Sequence, residues 1–154
     1  MNNLLALLIV WMGLAGTAAA QKQTARQVPA SVKQSYHSMF PGVRRVEWKL
    51  KGDKNYEAEF KYHGADIAAK FDATGKWLET ETTIARSKLP QTVSETISKD
   101  FKEYRIIETQ KIERFDDKQI LFEVHLANAK EILKAQFDSQ GAVLSKSTKP
   151  KKGS

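Results

Sequence analysis

The chain has no cysteine among its 154 residues. That excludes a disulfide scaffold, a thiol nucleophile and a Cys-ligated metal site. Histidine is scarce: His37, His63 and His125 are the whole set. None has a partner at the H-x-x-x-H or H-E-x-x-H spacing of a metal-binding helix, so all three read as surface histidines. There is no G-x-S-x-G nucleophile elbow and no G-x-x-x-x-G-K-[ST] phosphate loop. Asp72-x-x-Gly75 and Asp138-x-x-Gly141 each offer one carboxylate where a calcium loop needs several oxygen ligands, so both read as turns. No catalytic residue, cofactor or metal site is expected. Acid is also in short supply: 18 Asp+Glu face 25 Lys+Arg, a net charge of +7. Apolar residues at 41% suffice for a core, and their regular spacing argues against disorder.

What is present begins with an apolar run from Leu4 to Gly16, followed by Thr17-Ala18-Ala19-Ala20. Small residues at Ala18 and Ala20 fit an A-x-A cleavage site, so residues 1–20 read as a signal peptide with a mature start at Gln21. Met1-Asn2-Asn3 lacks the usual Lys or Arg, and an uncleaved membrane anchor is the alternative. The run is shorter than the ~20 apolar residues that a spanning helix needs. With no Cys at the cleavage point, a lipid-anchored lipoprotein is excluded. The expected location is periplasmic or secreted, with membrane contact only through the signal segment.

The rest of the chain repeats itself. Val28-Pro29-x-x-Val32 recurs as Leu89-Pro90-x-x-Val93, and Phe40 as Phe101, both at a shift of 61. Val46-Glu47, Tyr56-Glu57-x-x-Phe60 and Ala69-x-Phe71-Asp72-x-x-Gly75 recur at a shift of 66, so about five residues are inserted between Phe101 and Ile112. The expected organisation is a linker at 21–27, a first repeat at 28–85, a second at 86–147 and a basic tail at 148–154. Pro29 and Pro90 suit helix starts. Val32, Tyr36, Met39 and Phe40 form one helical stripe, as do Val93, Ile97, Phe101 and Tyr104. The period then falls to two: Val46, Trp48 and Leu50 alternate with Glu47, Lys49 and Lys51, and Tyr56, Ala58, Phe60 and Tyr62 with Glu57, Glu59 and Lys61. The expected fold class is α+β: two tandem repeats, each a helix followed by a four-stranded antiparallel meander sheet.

The set Val28-Pro29-x-x-Val32, Phe40-Pro41-Gly42, Val46-x-Trp48, Tyr56-Glu57-x-x-Phe60 and Phe71-Asp72-x-x-Gly75-x-Trp77 resembles the PepSY-like family of exported proteins. That family is similar to the β-lactamase-inhibitor-protein fold. The resemblance spans about Val28 to Lys146. It implies helix-plus-antiparallel-sheet modules, a periplasmic or secreted location and a role in binding or inhibiting other proteins. It carries over no catalytic residues. The second copy departs from the pattern, lacking Pro-Gly after Phe101 and tryptophans where Trp48 and Trp77 stand, so its wet face would bind something different or nothing.

The remaining chemistry is that of a surface. Glu57 and Glu59 share a strand face, as an acid/base pair would. Lys49, Lys51 and Lys61 share it by the same parity, and a cross-strand charge ladder is the simpler account. This solvent-facing sheet surface, with Arg44 and Arg45 after the helix, is the expected binding site. Trp77 joins it if it faces away from the core, where Trp is a favoured hot-spot residue; otherwise it caps the core edge. The expected partner is an unidentified periplasmic or envelope protein. Nucleic acid is not expected, because no Arg-clustered recognition helix is seen. The alternative is an envelope-associated polyanion or lipid-surface binder, acting through the +7 charge and the Lys-rich tail.

Overall fold

The computed structural model describes residues 21–23, 27–52 and 54–151. The expected signal peptide, its cleavage point and the last three residues lie outside them. The elements run β1 (Gln21–Gln23), α1 (Ala30–Met39), β2 (Glu47–Lys51), β3 (Asn55–Tyr62), β4 (Ala65–Asp72), β5 (Trp77–Thr83), α2 (Gln91–Asp100), β6 (Arg105–Arg114), β7 (Ile120–Ala127), β8 (Glu131–Phe137) and β9 (Val143–Pro150).

Each helix begins directly after a proline, Pro29 or Pro90, whose fixed φ suits the entry and whose missing N–H is not needed there. Each buries a narrow stripe: Val32 and Tyr36 from α1, Val93 and Ile97 from α2. Pro41 and Gly42, with φ +82° at the glycine, stop the first helix after Phe40.

The expected two four-stranded sheets are corrected here. All nine strands form one antiparallel sheet in the order β1 to β9. The join is β5 to β6, where Glu79–Thr83 runs against Arg114–Gln110. Two separate sheets would each leave two open edges of unpaired N–H and C=O groups; pairing β5 with β6 removes an edge from each. The architecture is therefore one β-rich sheet with two helices, not two tandem helix-plus-sheet repeats. The ends differ from expectation as well. Residues 21–23 pair with β2 as an edge strand, and β9 continues through Thr148, Lys149 and Pro150, paired to β8.

Both helices lie on the same face of the sheet. Ile67, Thr82, Lys111 and Phe122 follow one another across paired strands, which puts the two cores on one face. The core under α1 gathers Tyr36, Phe40, Trp48, Phe60 and Phe71. The core under α2 gathers Ile97, Phe101, Phe122, Leu126 and Phe137. Among the described residues the opposite face carries no helix.

Candidate functional site

The register lays charged side chains in rows across the helix-free face. One row runs Lys49, Glu57, Lys70, Glu79, Arg114 from β2 to β6. The next runs Glu59, Ala68, Glu81, Ile112, Leu121 from β3 to β7. A third runs Thr83, Gln110, Glu123, Gln136, Ser145 from β5 to β9. Glu57, Lys70 and Glu79 of the first row, Glu59, Ala68 and Glu81 of the second, and Thr83, Gln110, Glu123 and Gln136 of the third together line a cleft of about 1510 Å³ that reaches from Lys51 on β2 to Lys134 and Gln136 on β8. A single cleft touched by seven consecutive strands means that the sheet curls around it. Bulges at Lys70/Phe71, Ile106/Glu108 and Gln136/Phe137 supply local bends.

Opposite charges meet along these rows. Lys49 Nζ lies 2.6 Å from Glu59, and Lys51 Nζ 2.9 Å from Glu57. Lys70 stands between strands of carboxylates: it contacts Glu79, lies 2.8 Å from Glu81 and 3.8 Å from Glu57. Burial alone would lower the Lys70 pKa, but hydrogen bonds to Glu79 and Glu81 override it and push it up. Glu57 is only 3% exposed, and burial raises its carboxyl above the usual range despite Lys51 and Lys70. Burial also pushes Glu59 upward, but hydrogen bonds from Lys49 and Glu57 leave it below its ordinary value.

On β7, Glu123 accepts from His125 Nε2 at 2.8 Å, Lys134 Nζ at 2.9 Å and Gln136 Nε2 at 3.1 Å. Led by the His125 bond, these hold its carboxyl down to about 2, against the opposing effect of burial. The other ring nitrogen of His125 lies 2.9 Å from Glu108. His125 is thus part of the cleft's ionic network and not the surface histidine expected from its spacing.

Of the expected site residues, Arg44, Arg45, Lys51, Glu57, Glu59 and Lys61 line the cleft. Lys49 stands beside it through Glu59. The two arginines and Lys61 are exposed at its rim, Lys61 paired with Asp66 at 2.6 Å. Trp77 is elsewhere. It pairs with Phe71 across the bulge, packs against the first core, and donates from Nε1 to Thr80 Oγ1 at 2.9 Å. Its ring also meets Phe115 edge-on at 6.2 Å. The far wall, with Glu79, Glu81, Glu108, Gln110, Glu123 and Lys134, was not anticipated. Its signal was partly present: Glu123 and His125 alternate with Phe122, Val124 and Leu126, which places them on the helix-free face.

A curled antiparallel sheet with helices on one face and an open charged cleft on the other defines a β-rich scaffold in which the helix-free face is the accessible one. Residues 54–145 match the family described as "Putative beta-lactamase-inhibitor-like, PepSY-like", and the chain belongs to that family. Solved structures share its fold. A DUF2874 family protein from Bacteroides uniformis is 19% identical with a TM-score of 0.70, over 78% of this chain and 88% of that one. A protein from Bacteroides eggerthii described as "putative periplasmic" is 18% identical with a TM-score of 0.71, over 79% and 88%. A BLIP-like protein from Bacteroides fragilis is 20% identical with a TM-score of 0.67, over 81% and 89%. At these identities the likeness establishes the fold. No curated protein matches the chain. Among the described residues no helix is long and apolar enough to cross a membrane.

Proposed function

We propose that the protein is an exported, non-catalytic module that binds another protein in the cleft of its sheet. The observation that carries this reading is the cleft itself. At about 1510 Å³ it exceeds the ~300–1,000 Å³ of ordinary small-molecule sites, and it is long enough to take a loop or hairpin. Its ionic side chains largely hold one another, a pre-organised arrangement that lowers the ordering cost of association. The family's inhibitor-like description and the BLIP-like neighbour support the same reading. Arg44, Arg45, Lys51, Glu57, Glu59 and Lys61 would form the near wall and rim, with Lys49 buttressing Glu59.

The test is affinity capture from an envelope extract, using the chain from Gln21 at low and moderate salt. The expected result is a discrete protein retained at both, and lost when Ala68→Trp fills the middle of the cleft. Retention of lipid or polyanion alone, at low salt only, would move the function to the lysines of β9 and the residues beyond it. Export is checked separately: intact mass from the periplasmic fraction should begin at Gln21, and a chain still beginning at Met1 would refute cleavage.

A further inference from the structure

The cleft reverses the sign of the protein. The whole chain carries +7, yet the cleft lining holds eight acidic residues against six basic ones. Three of those six, Arg44, Arg45 and Lys61, stand exposed on the rim. The floor is richer in acid. Glu57, Glu59, Glu79, Glu81, Glu108 and Glu123 outnumber Lys51, Lys70 and Lys134, with Lys49 adding one cation from beside the lining and the His125 ring lying between Glu108 and Glu123.

The shortage of donors is greatest at the centre. The single Lys70 ammonium serves Glu79, Glu81 and, at longer range, Glu57. One strand over, Gln110 donates from Nε2 to Glu108 at 2.9 Å, and its buried Oε1 meets no donor among the described residues. Flipping the amide would set that oxygen against the Glu108 carboxylate, so Glu108 fixes its orientation. A buried acceptor without a donor is costly, and so are carboxylates that share one cation. Added N–H donors bearing positive charge relieve the carboxylates directly, and Gln110 could accept from the same donors by turning its Oε1 outward.

We infer that the segment seated in this cleft is basic, and that it brings a lysine or arginine side chain to the carboxylates around Lys70 and Gln110. This rests on the cleft-binding reading and names its partner's chemistry. An acidic segment would meet like charge across β5 to β7 and be turned away, while the rim arginines would favour carboxylates only at the periphery.

The probes are two peptides of equal length, Gly-Arg-Gly-Arg-Gly and Gly-Glu-Gly-Glu-Gly, titrated into the chain from Gln21 and followed by amide NMR. The arginine peptide should give saturable shifts in the Gln110 side-chain amide and in β5 and β6. Its affinity should fall roughly fivefold or more in Glu81→Gln/Glu108→Gln, as expected for losing charge-assisted bonds. Should the double variant fail to fold, Glu108→Gln alone serves. An unmoved Gln110 amide, equal response to the glutamate peptide, or affinity unchanged by the variants would overturn the inference. The two readings separate cleanly. If Ala68→Trp still captures its envelope partner, the cleft reading itself fails. If Ala68→Trp loses the partner but the arginine peptide leaves Gln110 unmoved, only the basic-segment inference fails.

Discussion

Tyr36 is 1% exposed and its hydroxyl finds no hydrogen-bond partner among the described residues. Its ring meets Phe40, Trp48 and Phe60 at centroid distances of 5.2–5.9 Å, so the aromatic body is well used and the oxygen is not. An unsatisfied buried hydroxyl costs about 1–3 kcal/mol, so Tyr36→Phe should raise stability at neutral pH, by about 1 kcal/mol in urea unfolding. Burial pushes the phenol up to about 12 from 10.0. The neutral phenol therefore contributes stability that is present below pH 10 and lost as pH rises towards 12. Tyr36→Phe should remove that alkaline loss. Two buried carboxylates of the cleft titrate in opposite senses. Glu123, held at about 2, contributes up to about 3 kcal/mol that is present above pH 4.5 and lost as pH falls towards 2. Glu57, raised by burial, contributes stability present below 4.5 and lost as pH rises through its folded value. Glu123→Gln should flatten the acid limb of the stability curve, and Glu57→Gln should hold or raise stability at pH 7. A steeper acid limb in Glu123→Gln would contradict the hydrogen-bond account.

Turns and helices are locked to each other at two places. Gly75 has φ +90°, and a Cβ there would lie 2.7 Å from the Ser31 carbonyl oxygen in the first turn of α1. Gly141 has φ +84°, and its Cβ would lie 2.6 Å from the Thr92 carbonyl oxygen in α2. Hydroxyls complete each contact: Ser31 Oγ donates to the Ala73 carbonyl at 3.2 Å, and Thr92 Oγ1 to the Ser139 carbonyl at 2.8 Å. Within each turn an aspartate side chain accepts backbone N–H groups, at 2.8 and 3.1 Å for Asp72 and at 2.9 Å twice for Asp138. The turn glycines thus set how closely each helix seats on the sheet. Gly64 supplies a control, since it has φ +84° but nothing within 4 Å of an added Cβ. Gly64→Ala should cost only the backbone strain, about 1 kcal/mol. Gly75→Ala and Gly141→Ala should each cost more, because a helix carbonyl must also move. Thermal melts of the three variants decide this, and equal losses would show that the close approach contributes nothing.

At the scale of the molecule, periodicity made the elements legible and left their assembly hidden. The stripes Val32/Tyr36 and Val93/Ile97 and the alternation along Tyr56–Tyr62 depend only on which side chains avoid water. Val32, Tyr36, Val93, Ile97, Ala58 and Phe60 are buried and Tyr56 and Tyr62 partly so, whereas Met39, expected in the first stripe, is exposed and Glu57, expected on the wet face, is buried. Alternation says nothing about which strand edges meet, so the β5–β6 join, the β1 edge and the length of β9 were not visible. Parity also fails across a bulge. The register shift at Lys70/Phe71 puts Trp77 on the helix side while Glu79 and Glu81 face the cleft, whereas strict alternation would set all three on one face. The join has a consequence that can be measured. The two cores are separate clusters, divided on the helix side by a polar seam of Thr80, Thr82, Lys111 and Glu113. What couples them is the β5–β6 ladder, extended by Ile84 N–H to the Thr109 carbonyl and Phe115 N–H to the Leu78 carbonyl, both at 2.9 Å. In the chain from Gln21 the tryptophans are Trp48 and Trp77, both packed in or against the first core, so fluorescence reports that core while far-UV circular dichroism reports both. Coincident urea midpoints by the two probes are expected for the intact protein, the signature of a single cooperative transition. Ile112→Pro removes a ladder N–H in the middle of β6 and should split them, the fluorescence midpoint separating from that of circular dichroism. Midpoints already separate in the unmutated chain would mean that the continuous sheet does not bind its two cores into one folding unit.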